Sequence, residues 1–180
     1  MKTALLLVDI QNDYFPGGKM ELSGSVEAGR KAAQVLALFR KMRLPVFHVQ
    51  HLAVNPGATF FIPGTAGADI NRCVAPQPAE PVIEKNFPNS FRNTVLLEKL
   101  RDQKIERLVV AGMMTHMCID TTVRAAFDLG FTSVLLHDAC ATRDQVFEAR
   151  TVSAADVQAS FMSALGAAFA QVQKTEEFVP

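Results

Sequence analysis

Short runs of apolar residues alternate along this chain with longer segments of helical periodicity. Residues 4–8, 45–49, 108–111 and 133–136 form four such runs, broken only by His48 and Ser133. A nearly continuous apolar run is typical of a strand buried on both faces of a parallel sheet. The pattern therefore predicts a parallel sheet built from at least these four strands.

Helical segments separate the predicted strands. Between the first two runs, apolar residues recur at helical spacing, at Ala32, Val35, Leu36, Phe39 and Met42. Similar patterns predict helices over 94–103, 118–129 and 154–171, with Gly130 ending the second of these. Alternating strands and helices indicate an α/β fold with helices on both faces of the sheet.

Length and charge narrow the possible functions. A chain of 180 residues predicts a single domain over 1–180. Lys and Arg total 18 and Asp and Glu total 18, so no net field favours nucleic acid or an anionic membrane. No segment reaches the ~20 apolar residues of a membrane span, and the start lacks the features of an export signal. We expect a cytoplasmic protein whose partner is a small molecule.

The cysteine pattern favours a reducing compartment. Cys73, Cys118 and Cys140 are odd in number and lack the spacing of a disulfide framework or a structural zinc site. A free cysteine is more often a small buried apolar residue than a nucleophile, so its surroundings must decide.

A long irregular segment lies between the second strand and the next apolar residues. Residues 53–81 are rich in Pro and Gly, yet Phe60, Phe61 and Ile62 provide apolar anchors. Disorder is one interpretation. We favour a packed loop near a binding site, because long loops in compact domains often carry function.

Three chemically capable residues follow predicted strands. Asp9 comes directly after the first strand, Lys85 follows the short run 82–83, and Cys118 follows the strand that ends near Gly112. Ligands of parallel sheets bind where the carboxyl ends of strands converge, so these side chains are expected to meet. Taken singly, Asp9 could cap a turn and Lys85 could be a solvated loop lysine.

The segment around Cys118 has the strongest chemical signal. A strand runs into Gly112, a short turn follows, and Cys118 opens the next predicted helix. Free N–H groups and the helix dipole at that position lower a thiol pKa and bind an oxyanion. A nearby Lys85 would lower the thiol pKa further. This arrangement is typical of covalent acyl transfer.

Four blocks in order resemble one family. Residues 6–15 resemble the VDxQNDF start of the isochorismatase-like cysteine hydrolase superfamily. Residues 85–91 resemble its lysine block with one extra residue, 110–118 its nucleophile block, and 138–142 its DAxAS segment. The resemblance covers most of the chain and implies a three-layer α/β/α, Rossmann-like domain around a mostly parallel six-stranded sheet. The two weaker strands are expected at 82–83 and 174–179.

The resemblance also implies roles for individual residues. Cys118 is the expected nucleophile, Asp9 transfers protons, and Lys85 stabilises charge during formation of a thioester-type intermediate. A cis peptide between Met113 and Met114 is implied, with the backbone N–H groups of Met114 and Cys118 as the oxyanion hole. Family members also suggest a homo-oligomer, either dimer or tetramer.

Departures from the family pattern limit the activity. Nicotinamidases of this superfamily carry an Asp-x-His metal motif after the second strand, whereas this chain has the segment 48–56 with His48 and His51. We therefore predict no metal and no cofactor, and nicotinamidase activity is not expected. His48 is interpreted as a core histidine and His51 as a residue at the rim of the site, because the two side chains point to opposite faces.

Having Cys118 favours the amidase branch, which cleaves C–N bonds of amide, ureido or carbamoyl substrates. An isochorismatase-type vinyl ether hydrolase remains the alternative, and a non-catalytic binding protein on the same fold is a third. The expected pocket residues share a position in loops near the carboxyl edge: Gln11, Phe15, Phe60, Phe61, Phe87, Phe91 and Thr115. Arg92 and Arg143 are interpreted as surface residues.

Overall fold

The computed structural model describes residues 1–179. Its strands are β1 (Thr3–Val8), β2 (Val46–His51), β3 (Val82–Lys85), β4 (Arg107–Met113), β5 (Thr132–Ala141), β6 (Gln145–Phe147), β7 (Arg150–Val152) and β8 (Gln171–Gln173). Its α-helices are α1 (Ser25–Lys41), α2 (Leu96–Asp102), α3 (Asp120–Asp128) and α4 (Ala154–Ala168). Short 3₁₀ turns lie at Asn12–Tyr14, Arg72–Val74 and Thr175–Glu177, and a π-helical turn at Thr115–Ile119 leads into α3.

Six parallel strands form the central sheet in the order β3-β2-β1-β4-β5-β8. The predicted six-stranded parallel α/β fold is confirmed. β6 and β7 form a separate antiparallel hairpin. Every residue of β1 is buried, which explains why its sequence is a continuous apolar run.

Two apolar layers enclose the sheet. Alternate residues of a strand point to opposite faces, so Leu5 and Leu7 pack on the α1 side whereas Leu6 and Val8 pack on the opposite face. The α1 side is completed by the helical residues Ala32, Val35, Leu36 and Phe39. The opposite layer receives Leu96 and Leu100 of α2, Val123 of α3 and Leu165 of α4.

The C-terminal strand differs from its predicted position. The expected strand at 174–179 is wrong, because the sixth strand is β8 at Gln171–Gln173, which begins at the last residue of the segment predicted as helix 154–171. Helix α4 ends early because the N–H groups of Phe169 and Ala170 both turn back to the carbonyl of Leu165. Three residues of strand with little apolar character leave a weak sequence pattern. The other weak strand, expected at 82–83, is confirmed as β3.

The long loop 53–81 packs against the segment that follows β1. Asp13 holds it, because its Oδ2 accepts the N–H of Phe61 at 2.7 Å and its backbone N–H binds Gly67 O at 2.9 Å. Nearby, Asn12 N donates to Asp69 O at 3.0 Å. The loop therefore covers the carboxyl edge of the sheet, as predicted for a packed loop.

Gly112 lies at the closest approach between β4 and β1. Its φ is +140°, and an added Cβ would stand 2.0 Å from the backbone oxygen of Val8. Opposite Gly112, β5 bulges, since the register shifts between Val110 and Gly112. The peptide bond between Met113 and Met114 that follows is cis. Within residues 1–179, none of the helices combines the length and apolar character needed to span a bilayer.

We expect Gly112→Ala to destabilise the protein strongly. The new methyl would overlap backbone that cannot move without breaking the β1–β4 pairing, so the free energy of unfolding should fall by more than about 3 kcal/mol. Gly130→Ala is the matched control, because Gly130 has φ +89° but open space around its Cα. Its left-handed strain alone should cost about 1–2 kcal/mol. Urea denaturation measures both, and equal losses would contradict the steric explanation.

Candidate active site

Asp9, Lys85 and Cys118 meet at the carboxyl edge of the sheet. Lys85 Nζ lies 2.7 Å from Asp9 Oδ2 and 3.2 Å from Cys118 Sγ. The side chains of Asp9 and Lys85 are both 0% exposed, and Cys118 is 5% exposed. The prediction that these three side chains meet in one place is confirmed. Their catalytic roles stay a proposal.

The sheet topology explains how distant segments converge. Asp9 follows β1 directly with φ +51°, and its N–H binds Val49 O at 3.0 Å on neighbouring β2. Lys85 ends β3, two strands from β1, so its side chain must cross the end of β2, a span of roughly 10 Å between strands. Cys118 lies in the π-helical turn after β4, two residues before α3 begins at Asp120, whereas the sequence predicted that it opens the helix.

Lys85 is surrounded by acceptors. Besides Asp9 and Cys118, its Nζ lies 3.0 Å from His51 Nδ1 and 3.1 Å from Phe87 O. Burial alone would lower the pKa of Lys85, but the negative charge of Asp9 and the contacts with Cys118 outweigh it and raise that pKa. The residue is therefore an ammonium ion buried within the site.

The pKa of Cys118 shifts in the direction opposite to the sequence prediction. Burial and the negative charge of Asp9 raise the pKa of the thiol, and the lowering effect of Lys85 does not compensate. One ammonium can balance one buried negative charge, so a carboxylate and a thiolate together would leave an excess charge without solvent. The resting arrangement is a thiol beside the Asp9–Lys85 ion pair.

Asp9 has a free position for a proton. Oδ2 faces Lys85, whereas Oδ1 is buried and has no hydrogen-bond partner among residues 1–179. A buried acceptor without a partner costs free energy, which a donated proton would recover. Because the candidate ligand atoms of Asp9 and Cys118 lie within 4.8 Å, the thiol is a nearby source of that proton.

The two histidines of β2 separate as predicted. His48 is buried, and its Nε2 contacts Glu80 at 3.0 Å while Arg40 binds the same carboxylate. Arg40 and hydrogen bonds from Gln77 and His48 outweigh burial and lower the pKa of Glu80 to about 2. His51 instead faces the site, and burial together with the charge of Lys85 lowers the pKa of His51. His51 is therefore neutral at physiological pH.

A metal ion does not fit beside Lys85. The candidate ligand atoms of Asp9, His51 and Cys118 lie within 4.8 Å of one another, a spacing that could hold a cation. The Lys85 ammonium contacts all three, at 2.7, 3.0 and 3.2 Å, and so takes the place that the ion would need. This geometry supports the predicted lack of a metal, which stays a prediction.

Two of the predicted pocket residues, Gln11 and Thr115, hydrogen-bond to other parts of the protein. Gln11 uses its whole amide, because Nε2 binds His51 O and Ala68 O while Oε1 accepts the N–H of His51. Thr115 Oγ1 donates to Gln158 at 2.6 Å and contacts Ala141 O at 3.3 Å. The polar groups of both side chains are therefore hydrogen-bonded within the protein and are not directed at a ligand.

Two of the predicted aromatic residues pack against other parts of the fold. Phe15 lies on the α1 side, against Gly29, where an added Cβ would stand 2.9 Å from the ring. Phe91 stacks on Phe131 with ring centroids 6.1 Å apart, in the layer opposite α1. Their assignment to the pocket stays a prediction.

The other aromatic candidates stay near the site. The Phe61 ring lies 4.6 Å from Tyr14 and 5.9 Å from His51, and Phe60 packs on Phe61 at 4.9 Å. Phe87 supplies its carbonyl to Lys85. These residues, together with the backbone of Met114 before Cys118, remain pocket and oxyanion-hole predictions.

Arg143 lies within electrostatic range of the site. Burial raises the pKa of Tyr14, Cys118 and Asp9 raise it further, and Arg143 acts in the opposite direction. Arg143 also opposes protonation of His116, whose pKa is lowered chiefly by burial. Arg143 is exposed, which confirms its interpretation as a surface residue, and its charge also reaches Tyr14. The sequence signal for its nearness to the site is its position directly after the DAxAS-like block at 138–142.

Known proteins are similar to this chain in sequence and in architecture. A model of the isochorismatase domain matches residues 3–177. YddQ of Bacillus subtilis, described as an uncharacterized isochorismatase family protein, is 48% identical over 179 residues, 99% of each chain. The structure of an isochorismatase hydrolase from Oleispira antarctica is 50% identical with a TM-score of 0.93, covering 98% of this chain and 95% of that one.

A relative with a stated activity is maleamate amidohydrolase of Pseudomonas putida. It is 30% identical over 156 residues, covering 79% of this chain and 73% of the relative. Together with the family model and the buried Asp9, Lys85 and Cys118, these similarities identify the family. The chain belongs to the isochorismatase family of hydrolases.

Proposed function

We propose that this protein hydrolyses a C–N bond of a small amide, ureido or carbamoyl compound through a covalent intermediate on Cys118. The observation that supports it is the buried contact of Lys85 Nζ with both Asp9 Oδ2 and Cys118 Sγ, at 2.7 and 3.2 Å. An acid-base group, a cation and a nucleophile in mutual contact are the elements that covalent acyl transfer needs.

The first half of the reaction forms a thioester-type intermediate. As Cys118 Sγ attacks the carbonyl carbon, its proton passes to Asp9 Oδ1, while Lys85 stabilises negative charge on the sulfur. The C–N bond of the tetrahedral intermediate then breaks, and Asp9 returns the proton to the departing nitrogen. The oxyanion formed between these steps is assigned to the backbone N–H groups of Met114 and Cys118.

The second half regenerates the thiol. Asp9 accepts a proton from water as the water oxygen attacks the acyl carbon, and the C–S bond breaks. The Cys118 thiolate then recovers a proton from Asp9. Because each proton moves between Asp9 and a reacting group, the site never holds two uncompensated negative charges.

The amidase branch fits the residues better than the two alternatives. Vinyl ether cleavage of the isochorismatase type requires no acyl-enzyme, so it gives no role to a buried Cys118 beside an ion pair. A non-catalytic binding protein has no need of such a costly buried charge network. The maleamate amidohydrolase relative, whose name states amide cleavage, also supports the amidase assignment.

The surroundings suggest a small substrate. Phe60, Phe61 and Tyr14 form an aromatic cluster beside His51, and Arg143 adds positive charge at longer range. A flat or apolar body next to the scissile bond fits these groups. The balanced total charge of the chain likewise favours a small molecule over a polymer.

Ammonia release across a panel of amides, ureides and carbamoyl compounds tests the reaction. We expect Cys118→Ala to lower kcat by at least about 10³-fold, because the nucleophile is lost. Cys140→Ala is the matched control, since burial raises the pKa of Cys140 to about 12 and the residue is a second buried thiol. Equal ammonia release by the parent and the Cys118→Ala variant would remove the mechanism, and turnover of isochorismate alone would select the alternative.

Asp9→Asn should separate thiol reactivity from turnover. Burial and Asp9 both raise the pKa of Cys118, so removing the carboxylate charge lowers that pKa and increases the thiolate fraction at any pH below it. Iodoacetamide should therefore alkylate Cys118 faster, while hydrolysis falls at least about 10²-fold for lack of a proton carrier. Lys85→Met should slow alkylation instead. Slower alkylation of Asp9→Asn, measured by mass spectrometry, would refute the charge balance.

Chelation should leave hydrolysis unchanged. Since the Lys85 ammonium contacts Asp9, His51 and Cys118 together, a divalent ion has no place among them. Initial rates are compared before and after dialysis against EDTA, and again after addition of zinc or iron. A loss on chelation that zinc or iron restores would show that an ion displaces Lys85 in the working enzyme.

A further inference from the structure

We propose that His51 is a positioning residue that holds the third N–H of Lys85 while Cys118 is a thiol and releases it when the thiolate forms. This inference rests on the proposed function, in which Cys118 is the nucleophile. It assigns to His51 the task of setting how readily the thiol gives up its proton.

Lys85 has more acceptors than hydrogens. An ammonium carries three N–H groups, yet four acceptors lie within hydrogen-bond distance of Nζ. They are Asp9 Oδ2 at 2.7 Å, His51 Nδ1 at 3.0 Å, Phe87 O at 3.1 Å and Cys118 Sγ at 3.2 Å. At any moment, one of the four must lack a fully directed hydrogen bond.

The protonation state of Cys118 decides which acceptor is left out. The neutral thiol is the weakest acceptor of the four, and Asp9 is charged and in the shortest contact, so we assign the three N–H groups of the resting site to Asp9, Phe87 and His51. A thiolate is a strong acceptor, and a charge-assisted bond to it displaces a neutral one. The imidazole is the neutral side-chain acceptor of the set, and forming the thiolate therefore transfers one N–H from His51 to sulfur.

The backbone position and the tautomer of His51 are both fixed by its neighbours. Its N–H and carbonyl are both bound by the Gln11 amide, at 2.7 and 2.9 Å, and it pairs with Lys85 in the β2–β3 register. Lysine has no acceptor, so Nδ1 must accept and the ring proton must lie on Nε2. Burial and the Lys85 charge lower the pKa of His51, which keeps this form at neutral pH.

The charged and titratable groups that face His51 and its contact with Lys85 come from three elements. Asp9 follows β1, Lys85 ends β3, and Cys118 lies after β4, while Tyr14 acts at longer range. Without an acceptor at position 51, the third N–H of Lys85 meets only the weak thiol. The thiol state then loses stabilisation, whereas the thiolate state retains three good acceptors. Removing His51 should thus favour the thiolate.

The test compares His51→Leu with His51→Asn in the full chain. Leucine removes the acceptor, and the asparagine Oδ1 replaces Nδ1 at a similar distance from the backbone. Iodoacetamide alkylation of Cys118, followed by mass spectrometry across pH, should shift to lower pH in His51→Leu. A shift of about one unit corresponds to roughly ten-fold faster alkylation below the thiol pKa. His51→Asn should follow the parent profile.

His51→Ala guards against a folding failure, since it removes the same acceptor without adding an apolar side chain, and it should show the same shift. An unchanged or slower profile in the acceptor-free variants, or an equal shift in His51→Asn, would overturn the proposal. Alkylation needs no substrate, so the result is independent of whether amides are hydrolysed. Conversely, full turnover after complete alkylation of Cys118 would refute the proposed function but not the effect of His51 on the protonation of Cys118.

Discussion

The ion pair between Asp9 and Lys85 is the constraint on which the site depends. Both side chains are removed from water, and a buried charge is tolerated only when a partner and further hydrogen bonds compensate its lost hydration. Neither residue can be buried without the other. The segments after β1 and at the end of β3 must therefore come together across β2 whenever the chain is folded, and the turn that carries Cys118 packs onto a pair already required by electrostatics.

The same compensation shapes the chemistry. Cysteine enzymes commonly lower the thiol pKa and keep a thiolate ready, but here burial and Asp9 work against a standing thiolate. In the proposed reaction, formation of the nucleophile is therefore coupled to movement of the proton from Cys118 to Asp9. In the proposed mechanism, the thiol gains its reactivity when a substrate is present to accept the sulfur, and Asp9, Cys118 and the bound substrate together carry one negative charge throughout. Removal of water from the site opposes ionisation of the Cys118 thiol. In the proposed reaction, attack by sulfur is for this reason coupled to proton transfer.

Much of this arrangement was predictable from the sequence, and the failures have physical causes. β1, β2, β4 and β5 were predicted because strands buried on both faces leave continuous apolar runs, and Asp9 stood out because a carboxylate follows such a run directly. β8 was misplaced because its three residues, Gln171–Gln173, are mostly polar. Edge strands of this length depend on pairing with a neighbour, which sequence periodicity does not report.

The environment of each side chain was harder to predict than its position. The helix turn and the lysine that lower a thiol pKa are visible in the sequence near Cys118, whereas the extent of burial that raises it emerges only from packing. Gln11 and Thr115 lie in the right segments, but whether a polar group faces a ligand or clamps a loop is decided by partners such as His51 and Gln158. Those partners are far away in the chain.

The position of β3 at an edge of the sheet makes Lys85 sensitive to local opening of that strand. β3 is one of the two edge strands and pairs only with β2, so it opens more easily than the strands that are paired on both sides. Its last residue is Lys85, and fraying there withdraws the ammonium while most of the hydrophobic layers stay intact. In the proposed mechanism, the reaction would then stop although most of the fold is intact. The ion pair of Lys85 with Asp9 thus links this edge of the sheet to the site.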